Sequence, residues 1–366
     1  MIEGDKGTSD ENAAYEQVAK YLVNGQFLLI ATGAGFSACS GLPVYNDIAN
    51  IPVYREKQLS YHDLARPTML DGGSADDVSL FYGFWISCMK QYRSTVHHPG
   101  YQILKKWDRY LTQKLVARGS AAHSKFENRQ REFLSTVVSD SSTIPVAQST
   151  FVYTSNVDAH FTKEFTPEQL YEIHGNVFEW QCSDVECANE HGTWSFPLDV
   201  LSEITVNQCT MTIEDEVKYH EGTRVFKCKH CNKWTRPNVL LFGDDHWRRH
   251  KKEEETYVAW ECVVENSIRE WSSNASDNDE YPFIVLEMGC GQRVPEVRLE
   301  CENVVRDARG KSILIRVNAS KNDAEHLDDT SLEPYHLAIH DTSLNALQKI
   351  DSHFDLLLQK QHQNKC

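Results

Sequence analysis

Four stretches of this sequence carry residue types whose spacing suits chemistry. The first is Thr32-Gly33-Ala34-Gly35-Phe36-Ser37-Ala38-Cys39-Ser40-Gly41-Leu42-Pro43, directly after the apolar run Phe27-Leu28-Leu29-Ile30-Ala31. Glycines in such a loop let backbone amides come close to a diphosphate, and Ser37 adds a hydroxyl. The same glycines also suit a plain strand-to-helix turn. No acidic residue stands about twenty positions on, at the end of a second strand, to hold an adenosine ribose.

The second stretch is Tyr153-Thr154-Ser155-Asn156-Val157-Asp158, followed by Ile173-His174-Gly175. Polar groups at the carboxyl end of a parallel strand line the crevice where open α/β sheets bind ligands. With an ordinary pKa near 6.5, His174 is the best general base available to take a proton from a ribose hydroxyl. The competing reading makes Asn156 and Asp158 helix caps and His174 a satisfied core histidine.

The third is Cys182 and Cys187, then Cys228 and Cys231. Two close pairs offer four thiolates to a tetrahedral zinc, and a closed site of that kind is structural. His191, Cys209 and His230 compete as ligands, and buried thiols without a metal remain an alternative. The fourth is Arg236-Pro237-Asn238-Val239-Leu240-Leu241-Phe242-Gly243-Asp244. Its apolar centre, with proline before and glycine after, suits either an edge that pairs with a peptide backbone or an ordinary edge strand.

These groups need a scaffold. Residues 15–25 read as an amphipathic helix ending near Asn24-Gly25, and Phe27–Ala31 as the buried strand that feeds the glycine loop. Further buried runs at Phe151–Thr154, Phe283–Met288 and Ile313–Val317 are spaced for crossover helices. That pattern predicts an α/β fold: a doubly wound parallel-sheet dinucleotide-binding domain with a small inserted zinc module and a helical excursion. The large domain is expected over 15–45, 91–179 and 236–352. The helical part of the small domain takes 46–90, the zinc module 180–235, and terminal extensions 1–14 and 353–366. Polar stretches 118–148 and 272–282 read as surface insertions.

The chain of 366 residues, 40% hydrophobic and 25% charged, has room for a large core and a smaller module. No run reaches the eighteen or so apolar residues of a membrane span, and Met1–Glu16 shows no secretory pattern. An intracellular site, cytoplasmic or nuclear, and no membrane contact are expected. Eleven cysteines then read as metal ligands and buried thiols rather than disulfides. A net charge of −16 argues against a binder held by phosphate neutralisation, so no direct nucleic-acid binding is expected; a basic peptide partner suits it better.

Taken in this order, the four stretches resemble the sirtuin family. Gly33–Pro43 is similar to the G-A-G-x-S-x-x-S-G-I-P loop, with Leu42 for isoleucine. Thr154–Asp158 stands where the family has T-Q-N-I-D, and His174-Gly175 where it has H-G. Arg236–Asp244 resembles the R-P-x-V-x-F-G-E run. The wording is closer to a divergent microbial branch, and the similarity extends from about residue 15 to about residue 350. The resemblance implies NAD-dependent removal of acyl groups from protein lysine. NAD is the co-substrate, zinc the structural ion, and nicotinamide and O-acyl-ADP-ribose are products.

The resemblance also implies site roles. NAD phosphates would lie on Ala34, Gly35 and Ser37, within a loop that includes Gly33, Leu42 and Pro43. Ser155, Asn156 and Asp158 would face the nicotinamide ribose and amide, with Asn156 and Asp158 counted beside the base His174 as catalytic. Gly289, Cys290, Gly291 and Asn318 occupy the adenosine-binding positions, while Val239, Leu240, Leu241, Phe242 and Gly243 hold the acyl-lysine peptide. Two departures stand out. Val44-Tyr45-Asn46 replaces D-F-R, removing an arginine while Tyr45 can still cover the nicotinamide pocket. Cys290 and Gly291 replace a threonine and a serine. These departures keep two other readings open: an NAD hydrolase or ADP-ribosyltransferase, and a catalytically weak NAD-responsive binding module.

Overall fold

A computed structural model describes residues 6–44, 51–117, 128, 132, 148–213, 225–272 and 281–364. Tyr45 and Asn46, with most of the expected insertions 118–148 and 272–282, lie outside the described residues. Six parallel strands form the main sheet: β1 (Phe27–Thr32), β2 (Thr150–Thr154), β3 (Leu170–Glu172), β7 (Phe283–Met288), β8 (Ser312–Asn318) and β9 (His336–His340). Their order is β3-β2-β1-β7-β8-β9, so the chain reverses its direction of winding between β1 and β7. Ligands bind at that kind of switch point in open α/β sheets.

Residues of β1 alternate between two cores, as the strand's two-residue period requires. Leu28 and Ile30 pack with helices Lys6–Asn24, Gly100–Ala117 and Ser343–Gln363 through Val18, Leu22, Leu104, Trp107 and Leu347. Phe27 and Leu29 pack on the other face with helices Lys251–Ser272 and Glu296–Asp307, through Trp260, Val264 and Val304. Each fully buried leucine or isoleucine contributes roughly 1.5–3 kcal/mol. Helices on both faces explain why the strands read as continuous apolar runs.

A second, antiparallel sheet has the order β5-β4-β6, built from β4 (Gly175–Cys182), β5 (Trp194–Ser195) and β6 (Thr235–Val239). It shares a third core with helix Ala75–Ser94, where Phe81, Tyr82 and Trp85 meet Trp180, Phe226 and Leu241. Tyr82 also donates its hydroxyl to the Thr235 carbonyl at 2.7 Å. The helical excursion and the cysteine module are thus packed into one body. Strand β4 crosses the expected boundary at 179/180, because its pairing with β6 runs from Gly175 to Cys182.

Both terminal segments are helical where they are described. Residues 6–14 belong to the first helix, and the last helix runs unbroken through 353 to Gln363. Phe354 is buried in the sheet's core, so the apolar stripe continues past the expected boundary.

Candidate functional site

The glycine loop leaves β1 and packs onto the loop that leaves β7. Gly35 N–H donates to the Gly289 carbonyl at 3.0 Å, and Gly33 N–H to the Met288 carbonyl at 3.1 Å. Gly289 has φ of 67°, and a Cβ there would lie 2.3 Å from the Phe36 nitrogen. Glycine is therefore required where the two loops touch, whatever ligand they hold. Beside them, Thr32 Oγ1 donates to Thr154 Oγ1 at 2.7 Å, and Thr154 Oγ1 accepts from Asn156 N–H at 3.1 Å. This buried ladder fixes how the chain leaves β2.

The expected polar residues converge there. Ser37 Oγ donates to Asp158 Oδ2 at 2.5 Å, and Asn156 Nδ2 donates to Ser37 Oγ at 3.0 Å. Asp158 also accepts from His160 N–H at 2.9 Å. All three side chains are nearly buried, yet they face a cavity of about 360 Å³. Ala34, Leu42 and Pro43 wall it from the glycine loop, Ser155 and His174 from the β2 and β3 ends, and Val239–Gly243 from across the cleft. A second cavity of about 420 Å³ lies on the other side of the loop, against Gly35, Gly289 and Asn318. An elongated ligand crossing the loop would occupy both.

His174 is 12% exposed, with Nε2 3.9 Å from Glu296 Oε1. Burial lowers its pKa below the ordinary histidine value, while Glu296 and a backbone hydrogen bond to Ser155 partly restore it. The ring is consequently neutral near pH 7 and able to accept a proton. Gly175, next to it, has φ of 83°, and a Cβ would lie 1.9 Å from the Asn238 carbonyl oxygen. The pair thus combines a titratable ring with a close crossing of β4 over β6.

Other expected residues stand differently. Cys290 is buried, and its thiol faces the Met288 carbonyl at 3.6 Å, so its side chain lines neither cavity. Asn318 faces the second cavity but spends its amide on the Cys290 carbonyl at 2.9 Å. At Gly291 an added Cβ meets nothing within 4 Å, so the missing hydroxyl does not reflect crowding. Gly33 serves the contact with the β7 loop.

The run 239–243 was expected to offer an edge. β6 is an edge strand of its sheet, but Thr235–Val239 are all buried. Beyond it, Leu240 N–H donates to the His174 carbonyl at 2.8 Å and Phe242 N–H to the Ala65 carbonyl at 3.0 Å. Leu241 N–H donates to Asp244 Oδ2 at 3.3 Å. These three donors are already engaged, which leaves carbonyls and side chains to meet a partner. Arg236 holds the loop from beneath, donating to both Asp244 oxygens at 2.6 and 2.9 Å.

Sulfur atoms of Cys182, Cys187, Cys228 and Cys231 all lie within 4.8 Å of one another. Cys182 and Cys231 sulfurs are 3.4 Å apart, and those of Cys187 and Cys228 3.6 Å. Bonds of about 2.3 Å to a tetrahedral zinc require sulfur–sulfur edges of about 3.8 Å, so the group fits that ion. His191 and His230 instead stack on each other at 3.5 Å between ring centroids, and Cys209 stands apart and exposed.

Some lining residues escaped the sequence reading. Arg293 and Val294 reach the first cavity from the loop after β7, Glu296 from the start of helix Glu296–Asp307, Tyr61 from the helical excursion and Tyr92 from helix Ala75–Ser94. Thr342, Ser343 and Asn345 border the second from the start of the last helix. A capping pattern at Asp341-Thr342-Ser343 marks that helix start, but not its position beside the glycine loop.

No described helix is long and apolar enough to cross a membrane. A family model described as the Sir2 family matches residues 142–264, the stretch that holds Asn156, Asp158, His174, the four cysteines and the Arg236–Asp244 run. An NAD-dependent protein deacetylase of Thermotoga maritima is 29% identical over 94 residues, covering 26% of this chain and 29% of that protein. The similarity spans less than a third of the relative's length. Over residues 142–264, which carry the neutral histidine and the four-sulfur module, the chain is similar to the sirtuin, or Sir2, family.

Proposed function

We propose that the protein removes acyl groups from lysine side chains of a protein or peptide substrate, consuming NAD. The carrying observation is the convergence of Ser37, Asn156, Asp158 and His174 on one cavity faced by Val239–Gly243. Bound NAD would supply an electrophilic ribose carbon with nicotinamide as its leaving group. Ser37 and Asn156 have the hydrogen-bonding capacity to orient the ribose and amide once their mutual bonds are exchanged for the ligand's. His174, held neutral by burial, takes a proton from a ribose hydroxyl. Leu42, Pro43 and Phe242 give the cavity apolar walls that exclude water until the acyl oxygen is in place. The parallel-sheet body acts in this reading as the dinucleotide-binding domain, and the helical and cysteine segments as the small domain closing over it.

One observation favours a second reading. The engaged amides of Leu240, Leu241 and Phe242 weaken the edge expected to pair with a peptide. An NAD hydrolase, or an ADP-ribosyltransferase, needs no such edge. The deciding measurement is nicotinamide release with and without a panel of acetyl-, succinyl- and long-chain acyl-lysine peptides. Deacylation predicts an increase of about tenfold or more with peptide, a barrier difference of at least about 1.4 kcal/mol. Equal release in both conditions selects the hydrolase, and ADP-ribose on protein selects the transferase.

A further inference from the structure

Behind His174 and Leu240 lies another cavity, of about 270 Å³. His174, Leu240 and Glu296 line it and the catalytic cavity alike, so the two share a wall. Its floor is aromatic. Tyr153 on β2 lies 5.6 Å from Tyr171 on β3 and 4.8 Å from Tyr257 on helix Lys251–Ser272, between ring centroids. Trp247 adds a fourth ring, held by its Nε1 donating to the Asn238 carbonyl at 3.4 Å.

The walls are acidic. Glu254, Glu296 and Glu300 face this recess against one cation, Arg249, which already donates to Glu254 Oε1 at 3.1 Å. Glu300 accepts from the Tyr257 hydroxyl at 2.7 Å, and burial raises its carboxyl pKa above the ordinary value. A cation beside it would favour the ionised form that burial disfavours. Aromatic faces with carboxylates around them attract a guanidinium or ammonium group, and the chain's net charge of −16 has the same sign. Leu240 and Val258, 37% and 41% exposed, give the rim an apolar surface for the stem of a long basic side chain.

We propose that this recess is a specificity subsite for an arginine or lysine neighbouring the acylated lysine in the substrate peptide. The assignment rests on the deacylase reading, because it is the acyl-lysine in the adjoining cavity that would bring the neighbouring residue to Leu240. Backbone contacts on the 239–243 run are few, so side-chain recognition here would supply selectivity that the edge does not.

The test uses acyl-lysine peptides with arginine, glutamine or glutamate scanned through the positions on either side. Arginine at one position should lower KM about five- to tenfold relative to glutamine, with kcat unchanged, and the gain should shrink as salt rises. The double variant Glu254→Gln/Glu300→Gln should lose the preference and keep turnover of the glutamine peptide. Val258→Lys, a substitution at the exposed rim, should turn the preference toward glutamate and guards against misfolding of the double variant. Equal KM for the three peptides at every position, or a preference unchanged in both variants, overturns the subsite. If no peptide is turned over, the deacylase reading fails separately. Fluorescence anisotropy of labelled peptides then decides the subsite, which requires tighter binding of the arginine peptide that the variants abolish.

Discussion

His174 sits where two opposing influences meet. Desolvation lowers its pKa and Glu296 raises it, with the lowering dominant. In the base role proposed for it His174 must be unprotonated, so kcat/KM should rise with pH through a midpoint below about 6.5 and then level. Glu296→Gln removes the charge that favours the protonated ring, and should move that midpoint further down. Rate–pH profiles of both proteins check this; a midpoint that stays or rises assigns the limb to another group. His174→Ala should cut turnover by about a hundredfold or more while NAD binding persists, because the lost interaction forms in the transition state. At this scale the motif residues were legible in sequence: Ser37, Asn156, Asp158 and His174 meet as their order implied. Arg293 and Glu296 were not, since nothing in Gln292-Arg293-Val294-Pro295-Glu296 marks which cavity the β7 loop will border.

Among the elements, the four-cysteine module has the most separable stability. Its sulfurs cluster beside Ala188 with little other apolar packing, whereas Trp180, Phe196 and Phe226 belong to the larger core shared with helix Ala75–Ser94. The protein should carry one zinc per chain by elemental analysis, and Cys228→Ser should lose it. Chelation should change tryptophan fluorescence, through Trp194 packed against the cluster and Trp234, whose carbonyl faces the Cys182 sulfur, before the main sheet melts. A chain purified without chelators that holds no zinc contradicts this. The long strands were legible because burial on both faces makes them uniformly apolar. β3, only Leu170-Tyr171-Glu172, is too short for any period to show, and β9 is half-exposed along most of its length. The reach of β4 across its expected boundary was hidden because pairing with β6 joins residues about sixty positions apart.

For the whole molecule, pH acts through a carboxyl at the junction of the two sheets. Glu172 ends β3, and Asn176 at the start of β4 donates to it at 2.9 Å. Burial pushes its pKa up to about 8. The native state thus keeps a proton that the unfolded chain loses near its ordinary value of about 4.3. Glu172's contribution to stability should fall as pH rises from about 4.3 to about 8, by at most about 5 kcal/mol, and Glu261, whose carboxyl burial also pushes up to about 8, adds to the same slope. Glu172→Gln should reduce that slope in urea unfolding series and be the more stable protein at pH 8. A slope unchanged by the substitution would locate the effect elsewhere. The fold class was legible because strand, turn and helix signals agreed; the helical character of the terminal segments was not, because a polar stripe looks the same on a docked helix as on a loose tail.

The clasp between helices Lys6–Asn24 and Ser343–Gln363 has a bearing on how the chain is made. Tyr15 donates its hydroxyl to Asp341 at 2.7 Å across 326 residues of sequence, and Val18, Leu22 and Phe354 share one core. During translation the first helix therefore emerges long before the surface that covers it. Its apolar stripe has to wait through the synthesis of both sheets, exposed to chaperones and to neighbouring nascent chains, until the last helix leaves the ribosome.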